Sequence, residues 1–391
     1  MRGPDVVVSL KAVRDLVTSG DVGSPQNGAG EDMATRKLWV GLDVGADETA
    51  VCGTDDEGTV VFEHLVSTKA SAVDALLAPK KRRIKLVGLE SCSFAIPLTR
   101  SLRKLGYRVS VFDTRQASKF LAIRRNKTDK NDARGLAEIA RLGRESVSEV
   151  HVKSPESQRL RSMLVTRQKL VGLRVTAEST MRSLFRLNGG RLRHSSSAAI
   201  LKKNVANELK HIRKLGKIDL TEDIEPLLAL SGALRTYLER IDKKLSSMAA
   251  EHPVCQSFLA IKGVGPLCAL SFYTAVEDPT RFKRNADVGP YLGLVPLVRQ
   301  SGQTTSKRRI SKMGDRMTRS YLVTAANLHL RYGDTALRTW GANLMDRRGK
   351  RRAQVAVARK LAVIMISMWK SNEAYDPQRG ETPFAREAVV A

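Results

Sequence analysis

Four acids in the first third of the chain, Asp43, Glu90, Asp129 and Asp132, have the types and settings for work on a phosphate ester. Asp43 lies mid-strand in the apolar run VGLDVG. A carboxylate inside a buried strand is costly unless it is paired or meets a cation. Glu90 ends the run IKLVGLE, at the lip where open α/β sheets place ligands. Asp129 and Asp132 stand three apart in KTDKNDA and share one face of a helix. Converging carboxylates suit a hard divalent cation, Mg2+ or Mn2+. Two such ions about 4 Å apart would activate a nucleophile and stabilise the departing oxygen of a phosphoryl transfer. The ordinary reading of Asp129 and Asp132 is that they begin a helix, where acids complement the dipole. Asp43 and Glu90 at consecutive strand sites tip the balance towards chemistry.

Two further segments carry candidate residues. Ala260 to Pro266, AIKGVGP, resembles a helix-hairpin-helix turn. There Gly263 and Gly265 would let backbone N–H groups approach phosphate, with Lys262 beside them; an ordinary tight turn is the alternative. The second segment runs from YLGLVP through Arg299, Gln300, Ser301 and Gly302 to Lys307, Arg308, Arg309 and Lys312. A serine hydroxyl is a poor nucleophile unless its developing charge is stabilised, which Arg and Lys around a phosphoryl centre can do. No His lies nearby to act as base. Chemistry alone therefore leaves Ser301 a turn residue and the basic run a phosphate-binding surface. The six histidines are dispersed, and His64 and His329 read as surface or packing residues.

Composition narrows the partners. The chain has 391 residues with 67 Lys+Arg against 40 Asp+Glu, a net charge of +27. Such a surface attracts polyanions and releases their counterions, which favours DNA or RNA. No apolar run reaches the about 18 residues a bilayer span needs, and no signal core opens the chain, so a cytoplasmic, nucleoid-associated protein is expected. Aromatics are 5% of the chain, so base stacking is not the main binding mode. Cys52, Cys92, Cys255 and Cys268 are far apart and form no CxxC pair; they read as buried small hydrophobes rather than zinc ligands.

The elements that must position these residues are legible in outline. Residues 1–36 hold GSPQNGAGED and read as a loose extension, with a short helix possible over Val6 to Val17. Over 37–150, LWVGLDVG and TVVFEHLV read as strands joined through DDEG, then a helix at Ser71 to Leu77. The strand IKLVGLES, a helix at Ile96 to Leu105, the strand YRVSVFD and a helix from Asp129 to Leu142 follow. The order β-β-α-β-α-β predicts a mixed sheet covered by helices. Over 151–252, Ser154-Pro155 starts one long helix and Asn188-Gly189-Gly190 ends it. A second helix spans about Glu222 to Ala250 with a heptad-like stripe, and the basic stretch Arg191 to Lys217 joins the two. This pair is either a packed helical spacer or a dimerisation arm. Residues 253–371 read as a mostly helical basic domain and 372–391 as a loose tail.

Taken in order, the acids, NKTDKNDA and LGLVP…SG…ISKMG resemble the IS110/IS1111-type transposases, the bridge-RNA-guided DNA recombinases, from roughly Leu38 to Ser367. The resemblance implies an RNase H/RuvC-like domain with a DEDD acid set, a coiled-coil region and a helical C-terminal transposase domain with a nucleophilic serine. The acids would match Asp43, Glu90, Asp129 and Asp132, and the serine Ser301. It further implies Mg2+ (or Mn2+), a covalent serine–DNA link, donor and target DNA, a structured noncoding bridge RNA, and a dimer or tetramer whose protomers share active sites. The sequence departs from the family pattern in GLESCS and at Leu297-Val298. Three rivals remain: an actin-like phosphotransferase, suggested by GLDVGADET; a metal-dependent junction nuclease that hydrolyses; and a non-enzymatic packaging protein.

Overall fold

A computed structural model describes residues 36–122, 128–143, 147–216, 218–301 and 304–378. The extension up to residue 35, with the helix considered over Val6 to Val17, lies outside them, as does the tail from 379. Two units form, one ending at Val152 and one beginning at Lys153.

The first unit runs β1 (Leu38–Val44), β2 (Glu48–Thr54), β3 (Val60–Ser67), α1 (Ala70–Leu77), β4 (Ile84–Glu90), α2 (Ala95–Lys104), β5 (Val109–Phe112), α3 (Thr114–Leu121) and α4 (Asp129–Leu142). Its five strands form one sheet in the order β3-β2-β1-β4-β5. β4 lies parallel to both β1 and β5, while β2 is antiparallel to β1 and β3. The expected β-β-α order is thus corrected to β-β-β-α. ETAVCGT is a strand, hidden in the sequence because its short apolar stretch lies between the polar runs ADE and GTDDEG. It is paired on both edges and, Glu48 aside, buried.

Strand alternation sorts the two faces of this sheet. Leu38, Val40, Leu42, Val87, Leu89, Val109 and Val111 pack with Val73, Leu77, Leu98 and Leu102 of α1 and α2. The opposite parity carries Trp39, Gly41 and Asp43 on β1, then Leu86, Gly88 and Glu90 on β4. Trp39, Leu86 and Phe112 there cluster with Leu136, Ile139 and Ala140 of α4. Asp43 and Glu90 therefore belong to the face that α4 covers.

In the second unit, α5 (Pro155–Leu187) starts on Ser154, whose side chain accepts from the Ser157 amide at 3.1 Å. α6 (Ala198–Gly216) and α7 (Thr221–Glu251) follow. α5 and α7 run antiparallel: Leu160 and Leu164 share a core with Leu245 and Ala249, Arg167 pairs with Asp242, and Arg235 bonds Glu178 at 2.7 Å. The stretch expected to be a simple connection forms α6, whose Leu201, Val205 and Ile212 pack on Met181, Phe185 and Ile224. The α7 stripe is partly satisfied within the chain. Leu234 and Leu245 are buried, while Leu230 and Tyr237 stay exposed.

The chain continues through α8 (Pro253–Leu259), α9 (Pro266–Val276), α10 (Val288–Tyr291), β6 (Pro296–Ser301), β7 (Thr304–Ile310), α11 (Arg316–Tyr332), α12 (Ala336–Arg348) and α13 (Lys350–Ser371). The hairpin β6-β7 is an addition to the helical domain expected there. Cys52, Cys255 and Cys268 are buried as expected, and burial pushes the Cys255 and Cys268 thiols up to about 12. Cys92 is the exception, exposed just past the end of β4. No described helix is long and apolar enough to cross a membrane.

Candidate active site

The acid set is built by register. Asp43 pairs with Ala50 across β1-β2, and Leu42 pairs with Leu89 across β1-β4. One position further on, Asp43 and Glu90 stand side by side at the ends of two parallel strands, both half-buried. Two glycines set the height of α4 above them. A Cβ on Gly41 would lie 2.0 Å from the Ala133 carbonyl oxygen and 2.2 Å from the Ala137 nitrogen. A Cβ on Gly88 would lie 2.5 Å from the Phe112 ring and 3.1 Å from Ala140 Cβ. The helix backbone thus rests on β1 two residues before Asp43. Sequence reading passed over both glycines, although a small residue on a strand face is itself a signal of close backbone approach.

The first turn of α4 brings the other two acids, Asp132 half-buried and Asp129 exposed. Thr128 caps this helix: its hydroxyl accepts from the Asn131 amide at 3.2 Å, and its carbonyl accepts from the Asp132 amide at 2.9 Å. Neither aspartate is needed as a cap, although both still favour the dipole. Hard carboxylate oxygens suit a divalent cation by their chemistry. Their side chains are not gathered round one point: among the described residues, no three His, Cys, Asp or Glu form a metal-binding group.

The glycine turn has a packing use. Gly263 has φ 94°, and a Cβ there would lie 2.6 Å from the Ala325 carbonyl oxygen on α11. His329, fully buried, bonds the Lys262 carbonyl through Nδ1 at 2.7 Å and Thr335 through Nε2 at 2.8 Å. Gly263 thus seats the turn on α11. Lys262 is exposed, and the space beside Gly265 at the start of α9 is open. His329 is the packing residue expected and His64 is exposed.

Ser301 ends β6 and pairs with Thr304, the first residue of β7; Arg299 pairs with Ser306 and Lys307 with Val298. For Arg299, Ser301, Lys307, Arg308 and Arg309 the structure describes backbone alone. The base of the hairpin is closely built. Gly293 (φ 68°) and Gly314 (φ 88°) abut the opposite loop, where added Cβ atoms would lie 2.0 Å from the Met313 oxygen and 1.9 Å from the Tyr291 oxygen. Buried Arg319 donates through Nη1 to the Leu292 carbonyl at 2.9 Å and to the Met313 carbonyl at 3.4 Å, tying the two flanks together. Burial lowers its pKa from the ordinary arginine value. Lys312, exposed with φ 55°, sits in the same loop. The glycines of LGLVP and ISKMGD are therefore the hairpin's clamp, and Arg319 is a positioning residue that no sequence motif singled out.

The first unit thus carries carboxylates at the ends of a five-stranded mixed sheet, and the second is mostly helical. Residues 40–187 match the family model of DEDD transposases of the IS110 type, and residues 255–340 match that of the IS116/IS110/IS902 transposase family. The chain is 29% identical over 343 residues to the transposase for insertion sequence element IS1111A of Coxiella burnetii, covering 86% of this chain and 90% of that one. It is 28% identical over 301 residues to a probable family 20 transposase of Pseudomonas aeruginosa, covering 75% and 86% of the two chains. It is 26% identical over 290 residues to the transposase for insertion sequence element IS1328 of Yersinia enterocolitica, covering 71% and 82%. The chain belongs to the IS110/IS1111 family of transposases, enzymes that act on DNA. The phosphotransferase and packaging readings fall with that result. The first unit's sheet and helices are consistent with the RNase H-like DEDD domain of this family.

Proposed function

We propose that this transposase cuts and rejoins DNA through a covalent phosphoserine, with Asp43, Glu90, Asp129 and Asp132 holding Mg2+ or Mn2+ and Ser301 as nucleophile. One observation carries the reading: Asp43 and Glu90 fall side by side at the ends of parallel strands, on the face covered by the helix that begins with Asp129 and Asp132. A bound divalent cation supplies Lewis-acid stabilisation of charge on the phosphate oxygens. The Ser301 hydroxyl attacks phosphorus; its O–P bond forms as one DNA O–P bond breaks, and its proton passes through water to the departing DNA oxygen. A DNA hydroxyl then attacks the phosphoserine, and Ser301 leaves with a proton. One phosphodiester is kept throughout, so no ATP is consumed. Arg299, Lys307, Arg308, Arg309 and Lys312 neutralise backbone phosphates along the hairpin, and Lys262, Gly263 and Gly265 present a further phosphate contact.

Donor and target DNA are chosen by pairing with a structured noncoding bridge RNA, while the protein reads backbone and shape. Ser301 and the acids belong to different units, and the complete site forms within a dimer or tetramer in the cytoplasm, associated with the nucleoid. The test is incubation with the element's RNA and labelled donor and target DNA. Ser301→Ala and Asp43→Asn should each lose strand exchange while retaining nucleic-acid binding. Cleavage by Ser301→Ala at the wild-type rate would instead mean metal-dependent hydrolysis.

A further inference from the structure

The end of α5 carries a cleft that none of this chemistry uses. It is lined by Arg182, Arg186, Gly189, Gly190, Arg191 and Leu192, three guanidinium residues and no acid. Local bonding fixes its shape. The Asn188 side-chain amide donates to the Leu184 carbonyl at 2.9 Å, Gly189 reverses the chain at φ 82°, and the Gly190 amide donates to the Phe185 carbonyl at 2.7 Å. A Cβ on Gly190 would lie 2.8 Å from Ile212 Cδ1 and 2.9 Å from Glu208 Oε1. The turn is thus seated on α6, and Arg191 is held beside the last turns of α5.

Charge around this cleft is one-sided. Residues 182–216 contain nine Lys and Arg and a single acid, Glu208. Glu208 already accepts from the Arg191 backbone N–H at 2.6 Å. Arg182 pairs with Glu178 at 3.3 Å, and Arg186 Nε donates to the Arg182 carbonyl at 3.3 Å. Among the described residues, Arg186 and Arg191 have no carboxylate partner, and both are exposed. A helix C-terminus favours one or two cations, and a charged face is usually just solvated. Neither explains three arginines lining one cleft round a seated glycine turn. Their mutual repulsion disfavours the free state, and a polyanion relieves it.

We infer that this cleft is a second nucleic-acid contact, taking backbone phosphate on Arg186 and Arg191, outside both the acid set and the serine hairpin. Guanidinium forks suit the phosphodiester group, and reading no base edge they take either DNA or RNA. Exposed Leu187 and Leu215 at the same turn leave an anionic membrane as the competitor.

The full chain is tested with fluorescent duplex DNA, a fluorescent RNA hairpin and vesicles of phosphatidylglycerol. For Arg186→Ala/Arg191→Ala, loss of two phosphate contacts should reduce the slope of log affinity against log salt by roughly 1.8 on duplex DNA. At low salt the affinity should fall by at least roughly tenfold. Arg186→Lys/Arg191→Lys should keep most of the binding, and the alanine variant should melt like wild type. A loss on RNA alone or on DNA alone supports the site and names its source. Wild-type affinity and slope on both nucleic acids overturns it, as does a loss confined to vesicles. The readout is equilibrium binding, so it is independent of whether Ser301 forms a covalent link.

Discussion

Gly41→Ala should uncouple the acid set without touching an acid. The added methyl would stand 2.0 Å from the Ala133 carbonyl oxygen, where carbon atoms come no closer than 3.0 Å, so α4 must retreat by about 1 Å. The contact is backbone on backbone, so no side chain can swing aside. Overpacking of this kind costs about 1–3 kcal/mol, which lowers the melting temperature by several degrees at about 2–8 °C per kcal/mol. A misplacement of about 1 Å costs on the order of a hundredfold in rate, because Asp129 and Asp132 ride on the helix that moves. The assay is strand transfer on labelled DNA beside a thermal melt, with DNA affinity measured in parallel. Gly172→Ala is the control: its Cβ would meet nothing within 4 Å in the middle of α5, and the change should stabilise by roughly 0.5–1 kcal/mol. If Gly41→Ala melts and transfers like wild type, α4 does not position the acids. If Gly172→Ala is equally inactive, the enzyme is merely sensitive to substitution.

Two further outcomes concern the second unit. Glu178, with 3% of its side chain exposed, accepts from Arg235 at 2.7 Å, Ser231 at 3.1 Å and Arg174 at 3.1 Å. Glu178→Gln should cost about 3–5 kcal/mol in denaturant unfolding, because Arg235 is left buried without its counter-charge. Burial alone would raise the Glu178 pKa, but Arg235, Ser231 and Arg174 together hold it below 4.5. Its stabilisation is therefore present above that pH and lost as pH falls through the lower folded value, and the variant should flatten this acid limb. Lys153 donates to the Thr274 and Ala275 carbonyls at the end of α9, and burial, aided by Arg161, pushes its ammonium down to about 8 from 10.5. The folded state then binds fewer protons than the unfolded between those values, so this residue favours folding more as pH rises through the window. The stability of wild type relative to Lys153→Met should climb from pH 8 to 10.5; a flat difference would mean the lysine stays charged in the fold. Ionisation of Cys255 and Cys268 on unfolding works in the opposite sense and is common to both proteins.

Much of the first unit was legible because its signals are local. The Thr128 cap and the small apolar face of Ala133, Ala137 and Ala140 mark α4 from Asp129 to Leu142 without tertiary information. β2 was not legible, since three small apolar residues between polar runs gain their strand character from pairing on both edges. The β6-β7 hairpin was hidden by Arg299 and Lys307 to Arg309, which read as a basic surface rather than as alternating strand residues. Asp43 stood out as a charge inside an apolar run, and Glu90 as the charge that closes one. Gly41 and Gly88 went unnoticed, and Gly293 and Gly314 were seen only as parts of LGLVP and ISKMG, because their meaning lies in the backbone that approaches them. The two long helices α5 and α7 were legible from the Ser-Pro start, the Asn-Gly-Gly stop and the long stripe. The α6 segment was not, because its apolar positions are diluted by lysine and arginine.

Under the proposed chemistry Ser301 becomes bonded to DNA under the control of the four acids. Isolating the protein–DNA product after denaturation, digesting it and locating the phosphate by mass spectrometry tests for that bond. The expected result is a nucleotide on Ser301, formed with Mg2+ or Mn2+ and absent in Asp43→Asn and with chelator. Free cleaved DNA from Ser301→Ala in wild-type amount, with no adduct on the wild-type protein, would contradict it.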